Sequence, residues 1–221
     1  MHIGLIGGIG PAATDYYYRS LIKRAANAGK QLNLTIAHAD SPTLLANMAK
    51  ADHAAQCEIY NRLTARLKRA GADFVVITSI SGHFCIDRFL AESELPVIDL
   101  LSTLRQWLQD HQYQTVGLLG TETVMRTAMH GKLSGIKVLT PQGEALTRVH
   151  EAYVELALSG TPTETHREVF FESGAVLTSS AGAQAILLGG TDLNIAFDGH
   201  KPPFDIIDCA GIHVDAIAER L

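Results

Sequence analysis

The two halves of the chain repeat one order of segments, and this repetition limits the folds that the chain can adopt. IGLIGGIGPAAT, which begins at Ile3, and VGLLGTETVMRT, which begins at Val116, both have an apolar strand pattern followed by a glycine turn and a helix pattern. AGADFVVITSISG begins at Ala70, and AGAQAILLGGTDL begins at Ala181. Because the offsets 116 − 3 = 113 and 181 − 70 = 111 are nearly equal, we predict a duplicated α/β unit.

The segments around these motifs alternate between helix and strand patterns. Apolar residues recur at helical spacing in 12–28, 53–71 and 165–182, and short apolar runs typical of strands occupy 33–40, 74–79, 136–141 and 185–190. This alternation predicts parallel sheets with helices on both faces. We therefore expect an α/β fold with two pseudo-twofold-related lobes, each a parallel sheet flanked by helices, and a cleft between the lobes.

The predicted lobes have bounds that follow from the repeat. We place the first lobe at residues 1–98 plus 208–221 and the second lobe at residues 99–207. In open α/β sheets, ligands bind outside the carboxyl ends of the strands. The residues expected at those ends are Gly7–Ala13, Ser79–His83, Gly120–Thr123, Gly190–Asp192 and the neighbourhoods of Asp99 and Asp208.

Charge and cysteine content exclude several classes of protein. The formal net charge of the 221 residues is −5, with no long block of like charges, which argues against a nucleic-acid or an anionic membrane surface. The three cysteines, Cys57, Cys85 and Cys209, are widely spaced and form no CxxC motif, so neither a disulfide framework nor a zinc site is predicted. Because no stretch resembles a signal peptide or a membrane span, we expect a cytoplasmic protein.

The turn after the first strand can be interpreted in three ways. Gly8 and Gly10 fit the loose dinucleotide pattern G-x-G-x-x-G/A, but the acidic Asp40 lies 30 residues after Gly10 rather than about 20. Pro11 also removes one N–H group that a pyrophosphate would use. The other interpretations are a purely structural turn and a site where turn N–H groups and the helix hold a small anion, such as a carboxylate. The pattern favours the small anion.

Four motifs resemble those of the aspartate/glutamate racemases, which are cofactor-independent amino-acid racemases. GLIGGIGPAATDYYYRSL resembles their opening G-G-M-G-P-x-A-T turn with its tyrosine-bearing helix, and GTETVM resembles their G-T-x-x-T-M turn. VVITSISGHF stands where they have P-C-N-T-A-H, and ILLGGTDL stands where they have L-G-C-T-E. The resemblance covers nearly the whole chain. It implies a small amino acid or carboxylate as ligand, no pyridoxal phosphate or metal, and a homodimer by analogy.

The resemblance also identifies two positions at which this chain departs from the family. Those racemases remove the α-proton with one cysteine and return it from the opposite face with another. Ser79 stands at the first cysteine position and Gly190 at the second, and their offset of 111 matches the repeat. An alcohol is a far weaker acid than a thiol, and glycine has no side chain. We predict that the two-cysteine mechanism does not operate.

Two other residues are candidate substitutes for the thiols. Asp192 is a candidate base if burial raises its pKa, or it caps the following helix. His83 is a candidate base for Ser79, or it packs at a helix start and binds the backbone. We favour the structural role for both. Cys85 is expected to point into packing, and Cys209 matches no catalytic position of the family.

The predicted ligand contacts come from small and hydroxyl-bearing turn residues. Ile80 replaces the family asparagine beside the substrate amine, and no basic side chain lies between Asp40 and Lys50, so an acidic amino acid is not favoured. Backbone N–H and hydroxyl groups can hold a carboxylate, although the same residues can cap helices. These residues are Gly8, Gly10, Ser81, Thr121, Thr123 and Thr191.

The sequence is compatible with three functions. The first is binding of a small amino or carboxylic acid between the lobes, with amino-acid racemisation as the nearest activity. The second is a sensor or partner subunit that binds a small acid without turnover. The third is a lyase or isomerase that needs a single proton donor.

Overall fold

The chain forms two compact units in the computed structural model, which describes residues 1–8 and 11–221. The first unit is Met1–Leu100 with His213–Leu221, and the second is Leu101–Ile212. These limits differ from the predicted 98/99 and 207/208 because helix α5 (Leu100–Asp110) and helix α10 (Cys209–Ala218) each begin in one unit and continue into the other. That each unit is a domain stays a prediction.

The first unit contains a three-stranded parallel sheet in the order β2-β1-β3. Its strands are β1 (His2–Gly7), β2 (Asn33–His38) and β3 (Phe74–Ile77). The central strand pairs Ile3 with Leu34 on one side and with Phe74 on the other. β1 from Ile3 onward and all of β3 are buried, as expected of strands that are covered on both faces.

The helices of the first unit follow capping signals in the sequence. Asp40 and Asp52 accept backbone N–H groups at the starts of α2 and α3, and Pro11 stands at the first position of α1, where a missing N–H costs little. The helices are α1 (Pro11–Asn27), α2 (Ser41–Ala49), α3 (His53–Arg69), a 3₁₀ helix (Ser81–Cys85) and α4 (Ile86–Glu92).

The second unit repeats the strand order of the first. Its parallel sheet has the order β5-β4-β6-β7, formed by β4 (Thr115–Gly120), β5 (Lys137–Leu139), β6 (Ile186–Gly189) and β7 (Ile206–Ile207). β7 pairs with β6, and in the first unit a parallel bridge joins Val97 to Val75 of β3. The predicted α/β fold with two parallel sheets flanked by helices is confirmed. The pseudo-twofold relation and the cleft stay predictions.

The helix that follows β4 is short. The helix that begins after Thr121 ends at Arg126, because Ala128, Met129 and His130 adopt positive φ angles of 47°, 60° and 56°. The helices are α6 (Glu122–Arg126), α7 (Glu144–Ser159), α8 (Glu164–Ser179) and α9 (Leu193–Phe197). Across residues 1–8 and 11–221, no helix combines the length and the apolar character needed to cross a bilayer.

Candidate active site

Gly8 follows β1 at the carboxyl edge of the first sheet, where the backbone passes close to the end of β2. Its φ is +149°, and a Cβ atom at this position would lie 2.0 Å from the carbonyl oxygen of Ala39. Only glycine fits this approach. The Gly8 carbonyl accepts the hydroxyl of Ser41, and Gly8 and Ser79 line one narrow recess. Gly10, the other predicted glycine contact, lies outside the described residues.

A second recess of about 290 Å³ opens beside Gly8 at the start of α1. Thr14 lines this recess, and its Oγ1 lies 3.3 Å from Oγ1 of Thr78, which follows β3. Tyr18 of α1 and His38 of β2 contribute further polar groups. The ends of β1 and β2 line this recess, and the contact between Thr14 and Thr78 connects it to the end of β3.

Asp40 is engaged in holding α2. Its Oδ2 accepts the backbone N–H of Thr43 at 2.9 Å and the Thr43 hydroxyl at 2.5 Å, and these bonds hold the pKa of Asp40 below its usual value. An N-cap carboxylate of this kind stabilises the first turn of a helix. The acidic residue that a dinucleotide site requires is thus committed to a structural role.

Ser79 is connected to His83 through its backbone. The Nδ1 of His83 donates to the carbonyl oxygen of Ser79 at 2.6 Å, and the Ser79 hydroxyl accepts the N–H of Gly82 at 3.4 Å. Because a carbonyl can only accept, the imidazole carries a proton on Nδ1. Ile80 and Ser81 lie between them in the chain and are also buried. Activation of the Ser79 hydroxyl by His83 stays a prediction.

The second ring nitrogen of His83 faces Asp99. His83 Nε2 lies 3.6 Å from Asp99 Oδ1, beyond hydrogen-bond length, and Nε2 has no hydrogen-bond partner among the described residues. Burial lowers the pKa of His83, while Asp99 and the Ser79 carbonyl act in the opposite direction. The imidazole is therefore neutral near pH 7.

A second buried histidine fixes the segment that carries Asp99. His213 of α10 donates from Nε2 to the carbonyl of Ile98 at 2.9 Å, and its Nδ1 accepts the hydroxyl of Tyr17 at 2.8 Å. Burial, with a smaller contribution from His83, lowers the pKa of His213 to about 3. The Tyr17–His213–Ile98 connection ties α1 and α10 to the chain beside Asp99.

The predicted residues of the second unit lie at the ends of β4 and β6. Thr121 accepts the N–H of Val124 at 3.3 Å and caps α6, and the carbonyl of Thr123 accepts the Thr127 hydroxyl at 2.6 Å. Gly190 follows β6 directly, and Thr191 and Asp192 are both buried before α9. The structure therefore places Gly190, Thr191 and Asp192 together, and Thr121 has the alternative role of a helix cap.

Tyr153 of α7 occupies the volume next to Gly190. A Cβ atom at position 190 would lie 2.2 Å from Cε2 and 2.8 Å from the hydroxyl oxygen of Tyr153. The Tyr153 hydroxyl donates to Oδ2 of Asp192 at 3.0 Å. Burial and the Asp192 carboxylate raise the pKa of Tyr153 well above its usual value, so the side chain is a neutral phenol.

The sequence does not identify Tyr153 as a site residue, because its position in α7 has the pattern of a core residue. It lies in the buried stripe that also contains Leu146, Val149 and Leu156. A buried tyrosine in such a stripe is ordinary core packing. Only the approach of α7 to the end of β6 gives this tyrosine a place beside Gly190.

Asn194 is the second-unit counterpart of His83. The two positions differ by 194 − 83 = 111, which is the offset between Ser79 and Gly190. Asn194 Nδ2 donates to Asp208 Oδ1 at 2.8 Å, and the N–H of Gly211 donates to the same oxygen at 2.8 Å. Each unit thus places an aspartate beside one of these two corresponding residues; the offset reveals the correspondence, and the structure supplies the contacts.

The three cysteines of the chain lie at positions other than 79 and 190. Cys57 donates from Sγ to the carbonyl of Cys85 at 3.6 Å, and Cys209 donates to the carbonyl of Ile207 at 3.8 Å. All three are buried, and burial raises the pKa of each thiol. They are therefore protonated near neutral pH.

The sequence of residues 6–217 matches the family model described as Asp/Glu/Hydantoin racemase. The chain belongs to this family. The match runs through both units.

Solved structures agree with the family assignment. A candidate Asp/Glu racemase from Yersinia pestis is 25% identical, with a TM-score of 0.86 over 100% of this chain and 99% of that chain. An aspartate racemase homologue from Pyrococcus horikoshii is 23% identical, with a TM-score of 0.81 over 99% and 98%. A glutamate racemase from Francisella tularensis, solved with D-glutamate, is 16% identical, with a TM-score of 0.63 over 100% and 80%. The last two likenesses concern the fold.

Proposed function

We propose that this member of the racemase family binds a small amino or carboxylic acid at the carboxyl ends of its strands and does not racemise it by exchange between two thiols. The observation that carries the proposal is which residues stand at two corresponding positions of the two units. Ser79 follows β3 and Gly190 follows β6, where the family resemblance expects cysteines.

Binding of a small acid is supported by the groups around Gly8. The recess of about 290 Å³ has room for a small molecule. It lies beside the first turn of the 17-residue helix α1, which favours negative charge, and the Asp15 carboxylate that also lines it is paired with Arg19. Hydroxyl and N–H groups, rather than a cationic side chain, are the donors expected to hold a carboxylate there.

The chemistry of the two thiol positions supports the absence of thiol exchange. The Ser79 hydroxyl has a pKa far above neutrality unless a base activates it, and the adjacent His83 is bound to the serine backbone instead. At position 190 no side chain can accept a proton. Binding without turnover, as in a sensor or partner subunit, is the second candidate, and the same replacements favour it.

A ligand screen followed by proton exchange tests the proposal. Thermal-shift measurements with amino and dicarboxylic acids should give at least one hit, because a ligand that binds the folded state raises the melting temperature. In D₂O, the α-proton NMR signal of an amino-acid hit should persist in the presence of the wild-type protein.

Each other outcome of this experiment has a definite meaning. Rapid racemisation of aspartate or glutamate, at a rate unchanged in Ser79→Ala, contradicts the account of the thiol positions. Consumption of a hit without exchange of the starting compound assigns a lyase or isomerase that uses one proton donor. If no small acid shifts the melting temperature, the binding proposal is wrong.

A further inference from the structure

Tyr153 presents a polar atom at the end of β6 where Gly190 presents none. Its Cε2, Cζ and hydroxyl oxygen lie 2.2, 2.5 and 2.8 Å from the position of a Cβ atom at residue 190. A side chain at 190 would therefore need the volume that the phenol ring now fills. Since ligands of α/β sheets bind beyond the carboxyl ends of the strands, the phenol oxygen lies where such a ligand is expected.

The hydrogen bond to Asp192 determines what the phenol can offer a ligand. A tyrosine hydroxyl has one proton and two acceptor lone pairs. The proton is directed to Asp192 Oδ2 at 3.0 Å, and the backbone N–H of Asp192 also interacts with the phenol oxygen, so one lone pair remains for a donor. The Asp192 side chain is buried beside it and adds negative charge in a poorly hydrated environment.

Together the Tyr153 phenol and the Asp192 carboxylate favour a positively charged group of a ligand. A carboxylate placed at the phenol oxygen would find no free proton and would be repelled by Asp192. An ammonium would donate to the remaining lone pair and be attracted by the carboxylate. The arrangement Gly190–Tyr153–Asp192 is thus chemically suited to a protonated amine.

We propose that Tyr153, held by Asp192, replaces the second thiol as a ligand-binding group and accepts a hydrogen bond from the ammonium of an α-amino acid. The inference rests on the proposed function and assigns the group that would distinguish an amino acid from its deaminated analogue. It also gives the second unit a role in recognition instead of proton transfer.

Matched ligand pairs test this inference in the full-length protein. The probes are aspartate with succinate, glutamate with glutarate, and alanine with propionate, which differ within each pair by the amino group. Dissociation constants are measured by calorimetry or by saturation-transfer NMR. The wild-type protein should bind the amino acid of at least one pair at least about fivefold more tightly than its deaminated partner, as expected for a hydrogen bond to a charged group.

Substitution of Tyr153 separates the contribution of its hydroxyl to ligand binding from that of its ring. Tyr153→Phe keeps the ring in the volume beside Gly190 but removes the acceptor, so the preference for the amino acid should fall about tenfold or disappear. Asp192→Asn should also reduce the preference because it removes the charge. Tyr113→Phe is the matched control, since Tyr113 stacks on Trp107 in the same unit and should leave the preference unchanged.

The outcomes distinguish this inference from the proposed function. If the wild-type protein binds a deaminated acid as tightly as its amino acid, or if Tyr153→Phe keeps the full preference, the inference is wrong and small-acid binding stands. If no probe binds the wild-type protein, both are wrong. Asp192→Asn gives an independent answer if the Tyr153 variant does not fold.

Discussion

His83 donates from Nδ1 to the backbone carbonyl of Ser79 at 2.6 Å, so the bond between these residues does not use the serine side chain. We therefore expect Ser79→Ala to lower the free energy of unfolding by less than about 1 kcal/mol, because the lost hydroxyl accepts only a 3.4 Å bond from Gly82. Urea denaturation measures the change. A loss above about 2 kcal/mol would show that the hydroxyl has a structural role beyond this bond.

Replacement of the imidazole should cost much more. His83→Ala removes a buried ring and leaves the Ser79 carbonyl without its donor, so the free energy of unfolding should fall by about 2–4 kcal/mol. His83→Asn is the control, because its amide can restore part of the bond. Equal stabilities of His83→Ala and the wild type would contradict the arrangement.

The buried histidines make stability depend on pH. The pKa of His213 is lowered to about 3 and that of His83 is also lowered, so the unfolded chain binds more protons than the folded chain below about pH 6.5. Stability should therefore decrease as the pH falls from about 6.5, with each histidine contributing up to about 1.4 kcal/mol per pH unit.

The variant His213→Gln isolates one of these contributions. Between about pH 4.5 and pH 6.5, the free energy of unfolding of this variant should depend less steeply on pH than that of the wild type, by up to the equivalent of one proton. Above about pH 7.5 the two curves should run parallel. Carboxylates affect both proteins alike. Identical slopes at acidic pH would mean that His213 is protonated in the folded protein.

Tyr153 and Gly190 should behave as an energetically coupled pair. Gly190→Ala forces a Cβ atom into the ring of Tyr153, and we expect a loss of about 1–3 kcal/mol in the free energy of unfolding. In a Tyr153→Ala background the same substitution should cost at least about 1 kcal/mol less, because the volume is then open. Additive effects in this double-mutant cycle would show that the ring does not occupy the space at 190.

A thiol at the first position should restore one half of the family chemistry. Ser79→Cys changes one atom, and a thiolate is a far better base than an alkoxide at accessible pH. With a saturating amino-acid hit in D₂O, we expect this variant to exchange the α-proton for deuterium faster than Ser79→Ala does. The product should keep its configuration, because Gly190 supplies no second base, and racemisation by Ser79→Cys would contradict the role assigned to Gly190.

The elements that the sequence predicted well are those with strong local patterns. Strands β1 and β4 and helices α1 and α3 were predicted because apolar runs, helical spacing and glycine or proline turns depend on neighbouring residues. The duplicated strand order also followed from the offsets near 111. The sequence did not reveal where the helix after Thr121 ends, because the left-handed residues after it, Ala128, Met129 and His130, are not glycines.

The candidate site was predictable only where it follows strands directly. Ser79, His83, Gly190 and Asp192 could be named because each comes within a few residues of a recognisable strand. Tyr153 could not be named, since it precedes Gly190 by 37 residues (190 − 153) and its own neighbourhood has only a core-helix pattern. The role of Asp40 as a helix cap could likewise be recognised only from its contact with Thr43.

The sequence by itself determined the family and the two parallel α/β sheets, because these depend on residue order and on periodic burial, and it predicts that Ser79 and Gly190 replace the two thiols. Only the tertiary structure decided which side chains surround Ser79 and Gly190. It placed Tyr153 in the volume beside Gly190 and turned His83 toward the Ser79 carbonyl. Such contacts depend on how helices pack against strand ends, and no local pattern in the sequence encodes that packing.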